Sequence, residues 1–432
     1  MKVCLANDSF PPQIDGVENT VVNYANIITD KYGSAVVATP EYPGSDDSQF
    51  GFDVVRYPSI YIGKKIGYRA GYPFSAEAME KLSSFRPNII HSHCPMMSAY
   101  LCRELRSITG APIVFTYHTK FDIEIRRALK LKLLQEHVIS LMINNIEACD
   151  DVWVVSEGAG ENLNSMGYRG TYTVMNNGVD MPKAPANEPL LAQIRAQYGL
   201  TEDIPVFLSV GRMRWYKGQK ITLDGLKKAK DVGKKFKMVF IGDGNDKKEM
   251  ERYAKNLGLS DSCIFTGAIY DRELLRTWYC LADLFLFPST YDTNGIVVRE
   301  AAACSLGSVI VKDSCAAEGI TDGRNGILIE ENSDSMADVI IEICDHRDAA
   351  ARIGQNAAEE IYISWEQAVD KAVSRYAYII DMARHGDIDR EHVSFDKRID
   401  TLADFYKGME RLKKQNKKIL KSLENKITRR KP

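Results

Sequence analysis

The chain has 432 residues, 45% of them hydrophobic and 26% charged, with a formal net charge of −2. This is enough for two or three domains that each bury a core, with the make-up of an ordinary globular protein. The near-zero charge excludes a whole-molecule bias toward nucleic acid. Nine scattered cysteines with no CxxC spacing argue against a disulfide framework or a zinc finger and predict reduced, buried thiols. No run of about 18 uncharged apolar residues predicts a membrane span. The opening MKVCLAND enters an apolar segment with no secretory-leader pattern. The expected address is therefore cytoplasmic.

Short apolar runs alternate with longer helix-like stretches, the pattern of parallel sheets covered by helices. The first half has strand candidates at VCLAN (3–7), AVVAT (35–39), DVVRY (53–57), NIIHSH (88–93), PIVFTYH (112–118), DVWVVS (151–156) and TYTVMN (171–176). MPKAPANEP (181–189), with three prolines in nine residues, is predicted to be a linker. Strand candidates resume at VFLSVGR (206–212), KMVFIGDG (237–244), CIFTGAI (263–269), ADLFLFPS (282–289), SVIVKD (308–313) and GILIEE (326–331). The expected fold class is α/β, with two doubly wound domains joined near residue 185. In such sheets ligands lie beyond the carboxyl ends of the strands, and functional residues belong there.

In the second half four strand ends carry residues of one chemical kind. Gly211-Arg212 is followed by Lys217-Gly218, a flexible turn with two cations suited to phosphate. IGDG (241–244) supplies a second glycine turn at Gly242, and Thr266-Gly267 a third strand end. PSTYDTNGIVVREAAACSLG (288–307) carries Asp292 and Glu300, with a helix expected to start near Asn294. Taken singly, each is better explained without function, as a solvated face, an ordinary glycine turn or a chance spacing of acids. Their succession, each after an apolar strand, carries the functional reading.

GRMRWYKG, IGDG, FTGAI and FPSTYDTNGIVVREAAACSLGSVIV, together with PPQIDGVENTV, HSHCP, TYHT, VSEG and NNGVD earlier in the chain, resemble the successive motifs of the retaining glycosyltransferases of family 4. That family includes bacterial glycogen synthase, sucrose synthase and the phosphatidylinositol mannosyltransferases. TYHT with the basic-apolar FDIEIRRALKLKLL (121–134) looks most like the bacterial diacylglycerol glucosyltransferases.

The resemblance implies a GT-B fold: an acceptor domain at 1–185, a nucleotide-sugar domain at 190–362, a helix at 363–384 crossing back to the first domain, and a basic helical tail at 385–432. It implies that Arg212 and Lys217 neutralise the donor diphosphate, with Gly211 and Gly242 allowing close approach. Glu300 takes the ribose hydroxyls. Asp292 stands near the transferred sugar, with Asn294, Gly295 and Ile296 at the adjoining helix start. Gly16 leaves room for the donor phosphates, and His118 lies beside the reacting sugar. The implied catalytic set is His118, Asp292, Arg212 and Lys217. The implied reaction is transfer of a hexose from a nucleotide sugar, UDP-glucose as first choice, with retained configuration. It needs no metal and no cofactor. The acceptor is a lipid or glycan. The alternatives are a soluble transferase for polysaccharide, teichoic acid or small molecules, and a non-catalytic sugar-nucleotide-binding module.

The sequence departs from that pattern at Asp292, one methylene shorter than the family's Glu; at Asn294, where an aromatic is usual; and at Asp15, where many relatives have a second glycine. A zinc site at His91, His93 and His118 is a weaker alternative, since no nearby motif supplies an activating carboxylate. Asp387-Ile388-Asp389 has metal-binding spacing but follows the last family motif.

Residues 411–432 hold ten Lys/Arg and one Glu. Leu402, Phe405, Met409, Leu412, Ile419, Leu423 and Ile427 form one helical stripe through this region. It suits an anionic membrane surface, a coiled coil and hence a homo-oligomer, or packing on the body. Arg126, Arg127, Lys130 and Lys132 form a second basic stretch, expected to meet acceptor or membrane. The enzyme is thus expected to be cytoplasmic and peripheral to the inner face of the cell membrane.

Overall fold

The computed structural model describes residues 1–13, 15–61 and 69–388. The basic tail, its apolar stripe and Asp389 lie outside the described residues. The chain forms two compact units. The first comprises Met1–Val154, Gly160–Val174 and the described residues from Val369 onward; the second comprises Val155–Ala159 and Met175–Ala368.

The first unit is built on strands β1 (Lys2–Ala6), β2 (Ser34–Pro40) and β3 (Asp53–Tyr57), a short antiparallel pair β4 (Ser59–Tyr61) and β5 (Arg69–Gly71), then β6 (Ile89–Ser92), β7 (Ile113–Tyr117), β8 (Asp151–Val154) and β9 (Thr173–Val174). Its main sheet is parallel in the order β3-β2-β1-β6-β7-β8-β9. Helices α1 (Gly16–Ile27), α2 (Ala76–Phe85), α3 (Met97–Thr109), α4 (Phe121–Ala128) and α5 (Lys132–Glu147) alternate with the strands, and α6 (Glu157–Ser165) follows β8. The order reverses between β1 and β6. At such a switch point two neighbouring loops leave in opposite directions and open a crevice.

The second unit repeats the plan. After α7 (Glu188–Tyr198) come β10 (Val206–Val210), α8 (Gln219–Asp231), β11 (Lys237–Ile241), α9 (Lys247–Asn256), β12 (Cys263–Gly267), α10 (Arg272–Leu281), β13 (Leu284–Phe287), α11 (Ile296–Ala303), β14 (Ser308–Val311) and β15 (Ile327–Ile329). α12 (Ser333–Asp345) and α13 (Arg347–Glu360) close it. The sheet runs β12-β11-β10-β13-β14-β15, all parallel, and reverses between β10 and β13.

Strand periodicity explains the second unit's two cores. Phe207, Met238, Phe240, Leu284, Leu286, Val309 and Val311 face one side, against α8, α9 and α12. The alternate residues Val206, Leu208, Val239, Ile241, Phe285, Phe287 and Ile310 face the other, against α7, α10 and α11. A strand buried on both faces must be apolar at every position, which is why these strands read as unbroken runs rather than alternations.

The chain passes into the second unit at Met175, ahead of the proline-rich segment. That segment is fastened rather than free: Met181 is buried, and the Arg276 guanidinium donates to the carbonyls of Ala184 and Pro185 at 3.0 and 2.9 Å. The last helix, α14 (Trp365–His385), enters the first unit from Val369. There Tyr376 is buried, stacked on Trp153 with centroids 5.2 Å apart, and Arg375 holds Asp151 through two bonds of 2.8 Å. The first unit's sheet is therefore covered partly by α14.

Candidate functional site

The second unit brings its motif residues to the carboxyl ends of β10 and β13. β10 ends at Val210; Gly211 follows it, then the exposed Arg212. Gly242 is required by close approach: at φ +143° a Cβ there would lie 1.9 Å from the Gly211 carbonyl oxygen. Gly218 is the second such position, at φ +78°, where a Cβ would stand 2.1 Å from the Pro288 carbonyl oxygen. That contact presses the single 3-10 turn Trp215–Lys217 onto the segment following β13.

Lys217 Nζ lies 2.5 Å from Asp292 Oδ1, and the buried Ser289 hydroxyl donates to Asp292 Oδ2 at 2.6 Å. Despite its missing methylene, Asp292 reaches the cation across the switch point. Both of its oxygens are held.

The loop then turns through Asn294 and Gly295 (φ +61°) into α11, which begins at Ile296. The first amides of a helix have no intrahelical acceptor, so this end favours an anion. The Asn294 side chain is not free to meet a sugar. It is buried, its Nδ2 donates to the Val155 carbonyl, and its Oδ1 accepts from Arg299 Nε at 3.3 Å.

Glu300, one turn into α11, is 7% exposed. Oε1 accepts from Arg272 Nη2 at 2.9 Å and Oε2 from the Tyr279 hydroxyl at 3.0 Å. Asp271 fixes the start of α10 by accepting from the amides of Glu273 and Leu274 at 2.9 and 3.1 Å. Arg272 is thereby the first helical residue, and Tyr279 follows two turns later on the same side.

The first unit's switch point has different chemistry. Asp8, after β1, is half-buried and accepts from the amides of Met97 and Ser98 at 2.9 and 2.8 Å, capping α3. Burial, the largest influence, pushes its carboxyl above the usual range despite those bonds. Asp15 caps α1 by accepting from the amides of Val17 and Glu18 at 2.9 and 2.8 Å, with Gly16 as first helical residue. The departure at Asp15 thus puts a side-chain carboxylate on the helix end.

Three buried histidines stand at this edge, His91 within β6 and His93 and His118 just beyond β6 and β7. His91 is bonded to Thr116 Oγ1 at 2.7 Å and to the Tyr376 hydroxyl, while His93 Nδ1 is 3.0 Å from His118 Nε2. His91 and His93 rings pack 3.9 Å apart and His93 and His118 rings 5.2 Å apart. These rings bond to one another and to hydroxyls instead of converging on a point. Among the described residues no group of three His, Cys, Asp or Glu is disposed to hold a metal. Burial pushes the imidazoles of His91 and His93 well below their ordinary range and that of His118 down to about 3, so all three are neutral at physiological pH.

On the same unit, Arg126, Arg127, Lys130 and Lys132 are exposed between and on α4 and α5. Beside them Leu131 is 70%, Leu133 81% and Leu134 44% exposed. Among the described residues no helix is long and apolar enough to cross a membrane.

Arg272, Tyr279, Ser289 and Asp8 escaped the sequence reading. Ser289 lies inside the PSTYDTNG motif. The acidic cap before Arg272 was a visible helix start, yet nothing local to it points at Glu300.

Comparison with known proteins agrees with this fold. The profile described as Glycosyltransferase Family 4 matches residues 14–182, and that described as Glycosyl transferases group 1 matches residues 192–360. Alpha-monoglucosyldiacylglycerol synthase of Streptococcus pneumoniae is 24% identical over 311 residues, covering 70% of this chain and 69% of its own. The synthase of the same name from Acholeplasma laidlawii is 22% identical over 380 residues, covering 84% and 94%. The structure of Anabaena HepE in complex with UDP superposes with a TM-score of 0.70 at 19% identity, covering 88% of this chain and 100% of that one.

Proposed function

The chain belongs to the family-4 glycosyltransferases of GT-B fold, and from that premise we propose that it moves a hexose from a nucleotide sugar, UDP-glucose first, to a hydroxyl of a membrane lipid such as diacylglycerol or a glycolipid, with retained configuration. The observation that carries the donor half is the Lys217–Asp292 pair at the second switch point, with the exposed Arg212 just past β10 and Glu300 one turn into α11.

The difficulty of the reaction is charge. As the glycosyl bond breaks, the departing diphosphate gains negative charge. Lys217, held by Asp292, and the amino end of α11 are in place before it forms and stabilise it, and the exposed Arg212 adds a second cation. These groups supply the role a divalent ion would otherwise fill, so the reaction is metal-independent and activity persists in EDTA. Asp292, tethered by Ser289, orients Lys217 and faces the sugar. Glu300 accepts from the ribose hydroxyls, and Gly16 gives the phosphates space. A neutral His118 orients a sugar hydroxyl without competing for the phosphate. The acceptor attacks from the face the phosphate leaves, through an oxocarbenium-like transition state, and the phosphate takes the acceptor proton.

The acceptor half rests on the exposed Leu131, Leu133 and Leu134 set among four cations. Such a surface suits the headgroup layer of an anionic membrane, with each nearby Lys or Arg adding about 1 kcal/mol. Two relatives are named for a diacylglycerol product. The enzyme then works peripherally on the inner face of the cell membrane, with 411–432 as a second contact.

A panel of nucleotide sugars incubated with lipid extract or with soluble acceptors, read by mass spectrometry, tests both halves. Glycosylation of a lipid is the expected product, whereas a product only in the soluble arm overturns the acceptor assignment. The full chain should also cosediment with vesicles containing anionic lipid, and less so when 411–432 are deleted.

A further inference from the structure

Glu300 has more partners than a nucleoside anchor needs. A carboxylate has about four lone-pair directions. Arg272 takes one on Oε1 and Tyr279 one on Oε2, which leaves one on each oxygen. Two remaining acceptor positions, one per oxygen, match the two hydroxyl donors of a vicinal diol. Neither donor is incidental, although Arg272 is exposed and only Tyr279 lies in the core. Tyr279 is fully buried in the core between α10, α11 and the sheet, and Arg272 is placed by the Asp271 cap.

We propose that Arg272 and Tyr279 are positioning residues for the nucleotide's ribose: together they fix the plane of the Glu300 carboxylate, so that one acceptor position on each oxygen meets the 2′- and the 3′-hydroxyl. This rests on the reading of Glu300 as the nucleoside anchor. Without Arg272 the carboxylate swings about its last bond and must be reordered at each binding event. Without the Tyr279 hydroxyl, Oε2 either turns inward unsatisfied or spends on water the direction meant for ribose. A buried acceptor left unpaired is costly, so the clamped site should also discriminate against nucleotides lacking one hydroxyl.

The test titrates UDP and GDP, and their 2′-deoxy counterparts, into the full chain by calorimetry, with donor KM and kcat measured alongside. The variants are Arg272→Ala, Arg272→Lys, Tyr279→Phe and Glu300→Gln. Tyr279→Phe keeps the ring and hence the core. The expected result is preferred binding of one ribonucleotide, about tenfold weaker for its 2′-deoxy form. Arg272→Ala and Tyr279→Phe each weaken the ribonucleotide several-fold, raise donor KM more than they lower kcat, and narrow the deoxy preference. Arg272→Lys restores part of the affinity. If Glu300→Gln weakens binding while both α10 variants keep wild-type affinity and deoxy preference, the clamp is wrong and the anchor stands. If Glu300→Gln leaves nucleotide binding unchanged, the anchor fails and the clamp with it. A merely structural role would lower melting temperature without moving the ribo-to-deoxy ratio, and that outcome also overturns the proposal.

Discussion

The two units share a parallel sheet and a reversal in strand order, yet the edges at their switch points are opposites. In the second unit the edge is ionic. Cation and carboxylate meet at 2.5 Å, and glycine turns let backbone approach backbone. In the first unit the edge is a packed, neutral stack of three imidazoles closed by Tyr24 and Tyr376, with the nearby carboxylates of Asp8 and Asp15 spent on helix caps. Topology says where a ligand goes; the side chains say which kind. One edge carries an ion pair, and the other a stack of neutral imidazoles.

The largest expected effect is at the ionic edge. Lys217→Ala should lower kcat by at least about tenfold with melting temperature unchanged, because a charge-assisted bond of roughly 1.5–3 kcal/mol is lost where charge develops. Wild-type-like turnover would erase the contrast between the edges.

Next comes a pH test of the neutral edge. Folding depresses the pKa values of His91, His93 and His118, the last from 6.5 to about 3. The unfolded chain therefore binds more protons between those limits. The stabilising contribution is fully present above about pH 6.5 and is lost as pH falls toward 3. Melting temperature should drop over that window, and His93→Asn should flatten the drop. A profile unchanged by the substitution would mean that folding does not depress the pKa of His93.

Leu131→Glu with Leu133→Glu should weaken sedimentation with anionic vesicles by roughly tenfold or more while leaving nucleotide affinity intact, since each exposed leucine that inserts contributes up to about 1.5–3 kcal/mol. Equal binding by the variant would remove this surface from the acceptor assignment. The smallest effect belongs to Asp15→Ala, which should cost about 1 kcal/mol of stability through loss of the α1 cap, read by chemical denaturation.

The fold was legible because a strand buried on both faces writes itself as an apolar run, and turns at strand ends need glycine. LFLF and MVFI could hardly be anything else. The β4–β5 pair was not legible: Ile60 and Tyr61 are exposed at 72% and 54%, so burial imposed no pattern there. The proline-rich segment read as a tether because its bonds come from Arg276, some ninety residues away. The same limit governs the site. Arg212, Lys217, Asp292 and Glu300 lie in strand-end motifs and announce themselves. Arg272 and Tyr279 act on Glu300 from another helix, 28 and 21 residues distant, and sequence spacing carries no mark of such a pairing. The occupation of Asn294 by the Val155 carbonyl was hidden for the same reason.

Tyr376 has a consequence for how the protein is made. It seals the face of Trp153 and bonds to His91, yet it is synthesised after the whole of the second unit. The first half of the nascent chain therefore waits with an apolar surface uncovered while about two hundred further residues are translated. Domains commonly fold in order of synthesis, and exposed apolar surface during that interval invites aggregation. Here the first unit to emerge is the last to be completed, so a ribosome stalled or a chain cut before Val369 should yield a sticky intermediate that binds a chaperone, not a smaller working domain.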